Sequence, residues 1–270
     1  MPELPEVETT RRGIEPHVVG RRVSWMEVRE PCLRWPVEES VTQSLTGQTI
    51  KSVDRRAKYL LLKSANGRLM IHLGMSGSLR ILQERKNPDK HDHVDIGFSD
   101  GGILRYRDPR RFGSIFWLQD DESHALLDHL GPEPLSESFS GDYLFARSRG
   151  RRVAVKTLIM NSQIVVGVGN IYANEALYRA GIRPDRLAMR VGKARYEKLV
   201  DVIKAVLTEA IEAGGTTLRD FVRQDGTPGY FSSKLDVYGR KGEPCVQCRR
   251  LLREIRQAGR STVFCSQCQH

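Results

Sequence analysis

Long apolar runs are missing from this chain. No stretch approaches the ~18 consecutive hydrophobic residues of a membrane-spanning helix, and the N-terminus has no apolar core of the kind that marks a secretory signal. The expected location is therefore the cytoplasm, with no membrane partner. Cysteine is scarce: there are 5 in 270 residues, and all but Cys32 fall between positions 245 and 268. That spacing excludes a disulfide framework spread through the chain and fits a reducing compartment. Cys32 itself is expected to be a small buried hydrophobe. Internal repeats are absent. So is a dinucleotide fingerprint, because the Gly-x-Gly-Asn at 167–170 lacks a third glycine and a surrounding βαβ unit. Acidic charge is the deficit with most consequence. The 33 Asp and Glu fall short of the 43 Lys and Arg, and the net charge is +10. A surplus of that sign favours a polyanionic partner, nucleic acid first.

What is present is a globular chain, 28% charged and 39% hydrophobic, long enough for more than one domain. One helix is expected over 5–17, with Val7 and Ile14 on one face, Gly13 weakening it and Pro16 marking its end. The pattern then changes to short strands, at 22–29, 49–53, 58–63, 68–73, 78–82, 93–98, 103–107 and 114–118. Asn66-Gly67 and Asp100-Gly101-Gly102 are hairpin signals between them, and strands of this number and length suggest a sandwich or barrel. A short helix is expected over 123–130, closed by Gly131-Pro132. The segment 133–150, with its Pro, Ser and Gly, reads as a hinge between domains. The second half is helical, most clearly over 170–180 and 194–213. In the latter, Leu199, Val202, Ile203, Val206, Leu207, Ala210 and Ile211 form a core-facing stripe that ends at Gly214-Gly215. Thr216 to Phe231 is polar and aperiodic, a length of loop that is usually functional or mobile.

The most specific chemistry lies in the tail. Cys245-x-x-Cys248 and Cys265-x-x-Cys268 have the spacing of a tetrahedral zinc site made of four thiolates. Such a site leaves no open coordination position, so the one zinc is expected to be structural and to fold the segment around it. The basic stretch between the knuckles reads as a β-hairpin with its turn near Ala258-Gly259. Arg260 is then at the tip, either reaching for phosphate or simply solvated. Gly167 and Gly169 precede a helix for which Asn170 is a candidate cap. With Arg151, Arg152 and Lys156 they suggest a face that grips phosphate. Asp108-Pro109-Arg110-Arg111-Phe112-Gly113 places an arginine and an aromatic on one tight loop, the residues that can enter a duplex as a wedge. Met75 sits on a second glycine-bounded turn; core packing is the alternative for both Met75 and Phe112. Lys58 opens an apolar strand, where it is either a solvated end or a proton carrier. His91 suits a phosphate contact better than a metal, since His91 and His93 lack a third ligand. The chain begins Met1-Pro2-Glu3-Leu4-Pro5-Glu6. Removing Met1 would expose a secondary amine with a pKa near ~7.7–8.0, a Schiff-base nucleophile flanked by carboxylates. Pro5 as an early residue of a helix with acids in its first turn is the simpler reading of the same stretch.

Taken together, these segments resemble the bacterial formamidopyrimidine-DNA glycosylases along the whole chain. The resemblance is carried by PELPEVET at 2–9, RRAKYLLL at 55–62, HLGMSGSL at 72–79, KHDHVD at 90–95, DPRRFG at 108–113, HLGPEPL at 129–135, VGVGNIYANEAL at 166–177, GGTTLRDF at 214–221, DGTPGYF at 225–231, VYGRKGEPC at 237–245 and the zinc knuckles. It implies an α+β multidomain fold: an N-terminal β-sandwich with flanking helices over 1–132, a hinge over 133–150, a helix–two-turns–helix domain over 151–235 with a lesion-capping loop at 216–231, and a zinc-finger β-hairpin over 236–270. It implies base-excision repair of oxidised purines in double-stranded DNA by a monomeric bifunctional glycosylase and abasic-site lyase. Pro2 would form the Schiff base, Glu3 would supply a proton, Lys58 would assist β-elimination and Arg260 δ-elimination. Met75, Arg110 and Phe112 would fill the gap left by the flipped base, and His91, Arg151, Lys156 and Asn170 would hold the backbone. Ser76 stands where some relatives carry a carboxylate near the lesion. Two other readings differ on specific residues. Enzymes of the endonuclease VIII type, which prefer oxidised pyrimidines, tend to begin Pro-Glu-Gly, whereas Leu4 follows Glu3 here. A non-catalytic zinc-finger DNA-binding protein would lack the proline, the acid or the lysine.

Overall fold

The computed structural model describes residues 2–120, 122–215 and 234–270; Met1 and the loop expected over 216–231 lie outside them. The chain forms two compact units. One runs to Asp128 and includes described residues 213–215; the other comprises 129–212 and the described C-terminal segment.

The first unit opens with α1 (Leu4–Val18), followed by β1 (Val23–Val28), α2 (Glu39–Leu45), β2 (Ser52–Arg56), β3 (Tyr59–Lys63), β4 (Arg68–His72), β5 (Ser78–Leu82), β6 (Asp92–Phe98), β7 (Ile103–Arg107), β8 (Ser114–Leu118) and a single-turn α3 (Ala125–Asp128). The strands form two antiparallel four-stranded sheets, in the orders β1-β6-β7-β5 and β2-β3-β4-β8. Alternation along the strands decides what each sheet buries. Leu60 and Leu62 of β3 and Leu69 and Ile71 of β4 join a core with Val94, Ile96 and Phe98 of β6, Leu104 and Tyr106 of β7, and Val7, Ile14 and Val18 of α1. The intervening Leu61 and Met70 point the other way and pack with Leu118, Phe116 and the leucines of α3. Inner faces of both sheets sharing one core make a sandwich, with α1 on its flank.

Four details depart from the sequence-based expectations. β2 lies three residues later than the apolar run at 49–53 suggests. It pairs Arg56 with Tyr59 and takes Asp54, Arg55 and Arg56 into an edge strand, where charge is tolerated because one side faces no partner strand. α2 has no counterpart among the expected helices, because only Val41 and Leu45 are buried along it, too few to show a period. α1 continues past Pro16 to Val18. Cys32 is exposed, with its N–H donated to Glu30 at 2.9 Å, and is not the buried hydrophobe expected.

The second unit contains α4 (Gly141–Ser148), α5 (Val155–Ile159), α6 (Asn170–Ala180), α7 (Lys193–Glu212) and the hairpin of β9 (Arg253–Gln257) and β10 (Arg260–Phe264). The segment 133–150, expected as hinge, thus carries a helix. The Ser140 side chain caps α4 by accepting the N–H of Tyr143 at 3.1 Å, and Leu144 and Ser148 are buried beneath it. The stripe read along α7 is the face it buries, with Leu199, Ile203, Val206, Leu207 and Ala210 at or below 1% exposure. Ala258 and Gly259 both take positive φ, 46° and 74°, which gives the finger hairpin a tight two-residue turn.

Because Leu62 is 1% exposed in the shared core, Leu62→Ala should destabilise the first unit by about 2–5 kcal/mol. Lys63→Ala, one residue along on the solvent side, should cost under ~0.5 kcal/mol. Urea unfolding followed by tryptophan fluorescence distinguishes the two.

Candidate functional site

The N-terminal chemistry is set by the start of α1. Pro2 and Glu3 precede the helix and both are buried. The backbone N–H of Glu3, the N-cap, is donated to Oε2 of Glu6 at 2.9 Å, so the first turn is closed by its own acid. Lys58 occupies the two-residue turn between β2 and β3, half-buried. Close to it lies His72, whose ring centroid is 4.9 Å from that of Tyr59. Burial, then the positive charges of Lys58 and Arg34, push the His72 pKa down to about 4. Its Nδ1 accepts the N–H of Gly74 at 3.0 Å, which assigns the proton of the neutral ring to Nε2. The imidazole beside Lys58 is therefore uncharged at neutral pH.

Met75, His91, Arg110 and Phe112 converge on one residue that the sequence reading passed over. Asp108, 0% exposed, accepts the hydroxyl of Ser76 (2.7 Å) and the N–H of Arg110 (3.3 Å) at Oδ1. At Oδ2 it accepts the hydroxyl of Tyr106 (3.1 Å) and the N–H of Gly113 (2.8 Å). Ser76 Oγ also receives the Arg110 N–H at 3.1 Å, so the Met75 loop and the Arg110–Phe112 loop are stitched together. A Cβ at Gly74 would collide with the backbone of Phe112 and Gly113, which is why glycine is required there. The Ser76 hydroxyl is engaged in building this junction. Phe112 is 42% exposed with the Arg110 guanidinium 4.9 Å above its ring. It projects into solvent, so the core alternative does not hold for it; Met75 is half-buried. The backbone carbonyl of His91 accepts the Asp108 N–H at 3.0 Å. The loop leading to His91 is tied down by Arg105, whose buried guanidinium pairs with Asp95 (2.7 Å) and Asp92 (3.2 Å) and donates to the carbonyl of Lys86 (2.8 Å).

In the second unit the expected phosphate-gripping residues divide. Arg151 and Arg260 are exposed. Arg260 opens β10 opposite Gln257, and both arginines border a cavity of about 290 Å³ between the hairpin tip and α5. Lys156 is 1% exposed, and its ammonium donates to Asn170 Oδ1 (2.6 Å), Thr262 Oγ1 (2.7 Å) and the Ser261 carbonyl (3.1 Å). A buried ammonium must be hydrogen-bonded inside the protein, and these three bonds anchor β10. Asn170 is the first residue of α6 and not its cap, a position held by Gly169. Its Nδ2 donates to the Ser261 carbonyl at 3.1 Å. Two further residues of α6 escape the sequence reading. Asn174 Oδ1 accepts the Val263 N–H at 3.0 Å, and buried Glu175 accepts the N–H groups of Asp236, Val237 and Tyr238 at 2.8–3.0 Å. Burial raises the pKa of Glu175 against the lowering effect of those three donors. The only sequence signal for either is their place within the stretch 166–177.

The metal centre is where the spacing puts it. The Sγ atoms of Cys245, Cys248, Cys265 and Cys268 lie within 4.8 Å of one another, with Cys245 and Cys265 buried. That separation fits four thiolates at ~2.3 Å from a common tetrahedral ion, and Tyr178 Oη lies 3.2 Å from Cys245 Sγ as an outer partner. These thiolates hold one zinc, whose contribution is structural.

A sandwich, a helical unit and a four-thiolate finger in one basic chain define the class of zinc-finger proteins that act on DNA. The comparisons narrow it. The sequence model of the formamidopyrimidine-DNA glycosylase N-terminal domain matches residues 1–115, that of its H2TH domain 130–222, and that of the zinc finger found in FPG and IleRS 242–270. The formamidopyrimidine-DNA glycosylases of Alcanivorax borkumensis and Stutzerimonas stutzeri are 57% and 58% identical to this chain, over all of both chains in each case. A Lactococcus lactis FPG mutant in complex with Fapy-dG containing DNA superposes with a TM-score of 0.93 at 34% identity, over 99% of each chain. MutM (FPG) from Thermus thermophilus does so at 0.89 and 38%, over 99% of this chain and 98% of its own. The chain belongs to the formamidopyrimidine-DNA glycosylase family. It is a base-excision repair enzyme, a DNA glycosylase and abasic-site lyase.

Two outcomes are expected. Unfolded His72 takes a proton near pH 6.5 while the folded residue resists until about pH 4. The stability this group contributes is thus present above 6.5 and lost as pH falls toward 4. The Tm of wild type should fall relative to that of His72→Gln across this window, with the difference constant at higher pH. Removing zinc with a chelator should unfold the finger and abolish binding of an abasic-site duplex, read by fluorescence anisotropy. Zinc should restore binding and magnesium should not.

Proposed function

We propose that this enzyme removes oxidised purines, 8-oxoguanine and formamidopyrimidines, from duplex DNA through a Schiff base at Pro2 and then cleaves the abasic site by β- and δ-elimination. The observation that carries this reading is the environment of Pro2: a buried proline directly before the positive end of α1, beside Glu3 at 2% exposure. Once Met1 is removed, burial and the helix dipole both disfavour a protonated amine, leaving the lone pair free to attack. The amine forms a bond to C1′ as the base departs with its bonding electrons and is protonated by solvent. The ammonium so formed loses its proton, and the freed lone pair breaks the C1′–O4′ bond while Glu3 donates a proton to O4′, giving a ring-opened iminium that carries its charge without an N–H. Loss of the C2′ proton, assisted by Lys58, expels the 3′ phosphate. A second elimination, assisted by Arg260, expels the 5′ phosphate.

The wedge loop supports the recognition step. Extruding a base costs a few kcal/mol of stacking and pairing, and a rigid Arg110–Phe112 tip with Met75 beside it offsets that by occupying the vacancy. His91, Arg151 and Asn170 grip the flanking phosphates, and Lys156 serves that grip by holding Asn170. The enzyme acts as a monomer in the cytoplasm, on the DNA of the nucleoid.

Borohydride should trap a covalent complex between the processed enzyme and an abasic-site duplex, and Pro2→Gly should reduce trapping by roughly a hundredfold or more. Normal lyase activity with the terminal amine permanently blocked would rule the mechanism out. Parallel duplexes carrying 8-oxoguanine and oxidised thymine test the substrate class: faster release of the pyrimidine would favour the endonuclease VIII-type reading.

A further inference from the structure

The turn that carries Lys58 is unusual. Strands β2 and β3 are joined by two residues, and the first, Ala57, has φ 55°. Positive φ at this position is normally left to glycine, because an L-residue meets a steric penalty there. Ala57 is 4% exposed, so the turn is packed as well as strained. A strained turn persists only where its surroundings over-determine it. One such constraint is Arg55, whose Nη1 donates to the Ala57 carbonyl at 2.9 Å.

Arg55 is itself held. Its Nε donates to Oε2 of Glu8 at 3.0 Å, and both side chains are nearly buried, at 12% and 11% exposure. Glu8 lies in α1, within the second turn of the helix. The same carboxylate accepts from Arg12 at 2.9 Å and Arg11 at 3.1 Å, and Arg11 reaches across to the Val53 carbonyl of β2 at 3.1 Å. Burial works against ionising Glu8, but its three arginines outweigh it and hold the carboxyl below its usual range. Nothing in this chain of contacts is explained by stabilising a surface: β2 is an edge strand, and a solvated arginine would serve it as well.

We infer that Glu8 and Arg55 are positioning residues for Lys58: their ion pair joins the helix that begins after Glu3 to the strained Ala57 turn, and fixes the lysine relative to the N-terminal proline. The inference rests on Lys58 assisting elimination. A lysine on a two-residue hairpin end has four rotatable side-chain bonds and a mobile base unless the backbone is fixed. Proton removal from C2′ tolerates little displacement, so the backbone of its turn must be set by something outside the hairpin. Arg55 supplies that link, because one guanidinium holds both the turn and α1.

The test separates the two chemical steps on one substrate. Trapping of an abasic-site duplex by borohydride reports the Schiff base, and strand scission without borohydride reports elimination. Arg55→Met should slow scission by roughly ten- to a hundredfold while leaving trapping within about threefold of wild type, and Glu8→Gln should do the same more weakly. Arg55→Lys keeps the charge pair but cannot reach Glu8 and the Ala57 carbonyl together, so it should recover only part of the rate. Combined with Lys58→Ala, Arg55→Met should produce no further loss of scission, because its effect passes through the lysine. Equal losses of trapping and scission, or additivity with Lys58→Ala, overturn the inference while leaving the role of Lys58 intact. Unimpaired scission by Lys58→Ala alone overturns both. If Arg55→Met melts below the assay temperature, Glu8→Gln carries the same measurements from the other end of the link.

Discussion

One buried carboxylate organises the two loops that carry Met75 and Arg110–Phe112. Asp108 has no solvent exposure, and two hydroxyls and two backbone N–H groups supply its solvation. An unpaired charge in that position would be prohibitive, so the four donors and the acid are mutually required. The outcome is a rigid junction between two loops that are far apart in sequence. Arg110 and Phe112 leave it in a fixed direction, and Met75 leaves it from the other side. The proposed wedge would have to resist the duplex, and side chains on a slack loop would be displaced by the bases they are meant to replace. His91 shares the same frame through its hydrogen bond to Asp108.

The second unit solves a similar problem with the opposite charge. Lys156 is a buried cation whose donors are taken by Asn170, Ser261 and Thr262. It does for β10 what Asp108 does for the wedge. Both are buried polar side chains that hold other groups still.

The zinc knuckles, the hairpin turn and α7 are legible in the sequence because their determinants are local: ligands two residues apart, a glycine at a positive φ, a stripe with one period. The wedge loop is legible as chemistry but not as architecture, since its acceptor binds donors at 76, 106 and 113. The internal partners of Lys156 are hidden for the same reason; two of them lie 105 and 106 positions away. Asn170 resembles a cap because asparagine favours that role, but Gly169 already fills it and frees the amide for Ser261. The helix inside 133–150 is hidden by its composition, and β2 is shifted because pairing with β3 outweighs its own apolar signal. For Lys156 and Asn170 a contact distant in sequence decides between locally reasonable alternatives.

Helix α6 gathers the attachments of the finger onto one rod. Asn170 and Asn174 hold β10, Glu175 holds the chain entering the module, and Tyr178 reaches a zinc thiolate. The finger is thus a continuation of the helical unit and not a tethered appendage. Ordering a loose domain at the moment of association draws on the free energy of the contacts it makes. Here the hairpin that presents Arg260 is already ordered when the chain has folded and bound its metal. The free energy released on meeting DNA is then available for the one costly act the reaction needs, taking a damaged base out of its stack.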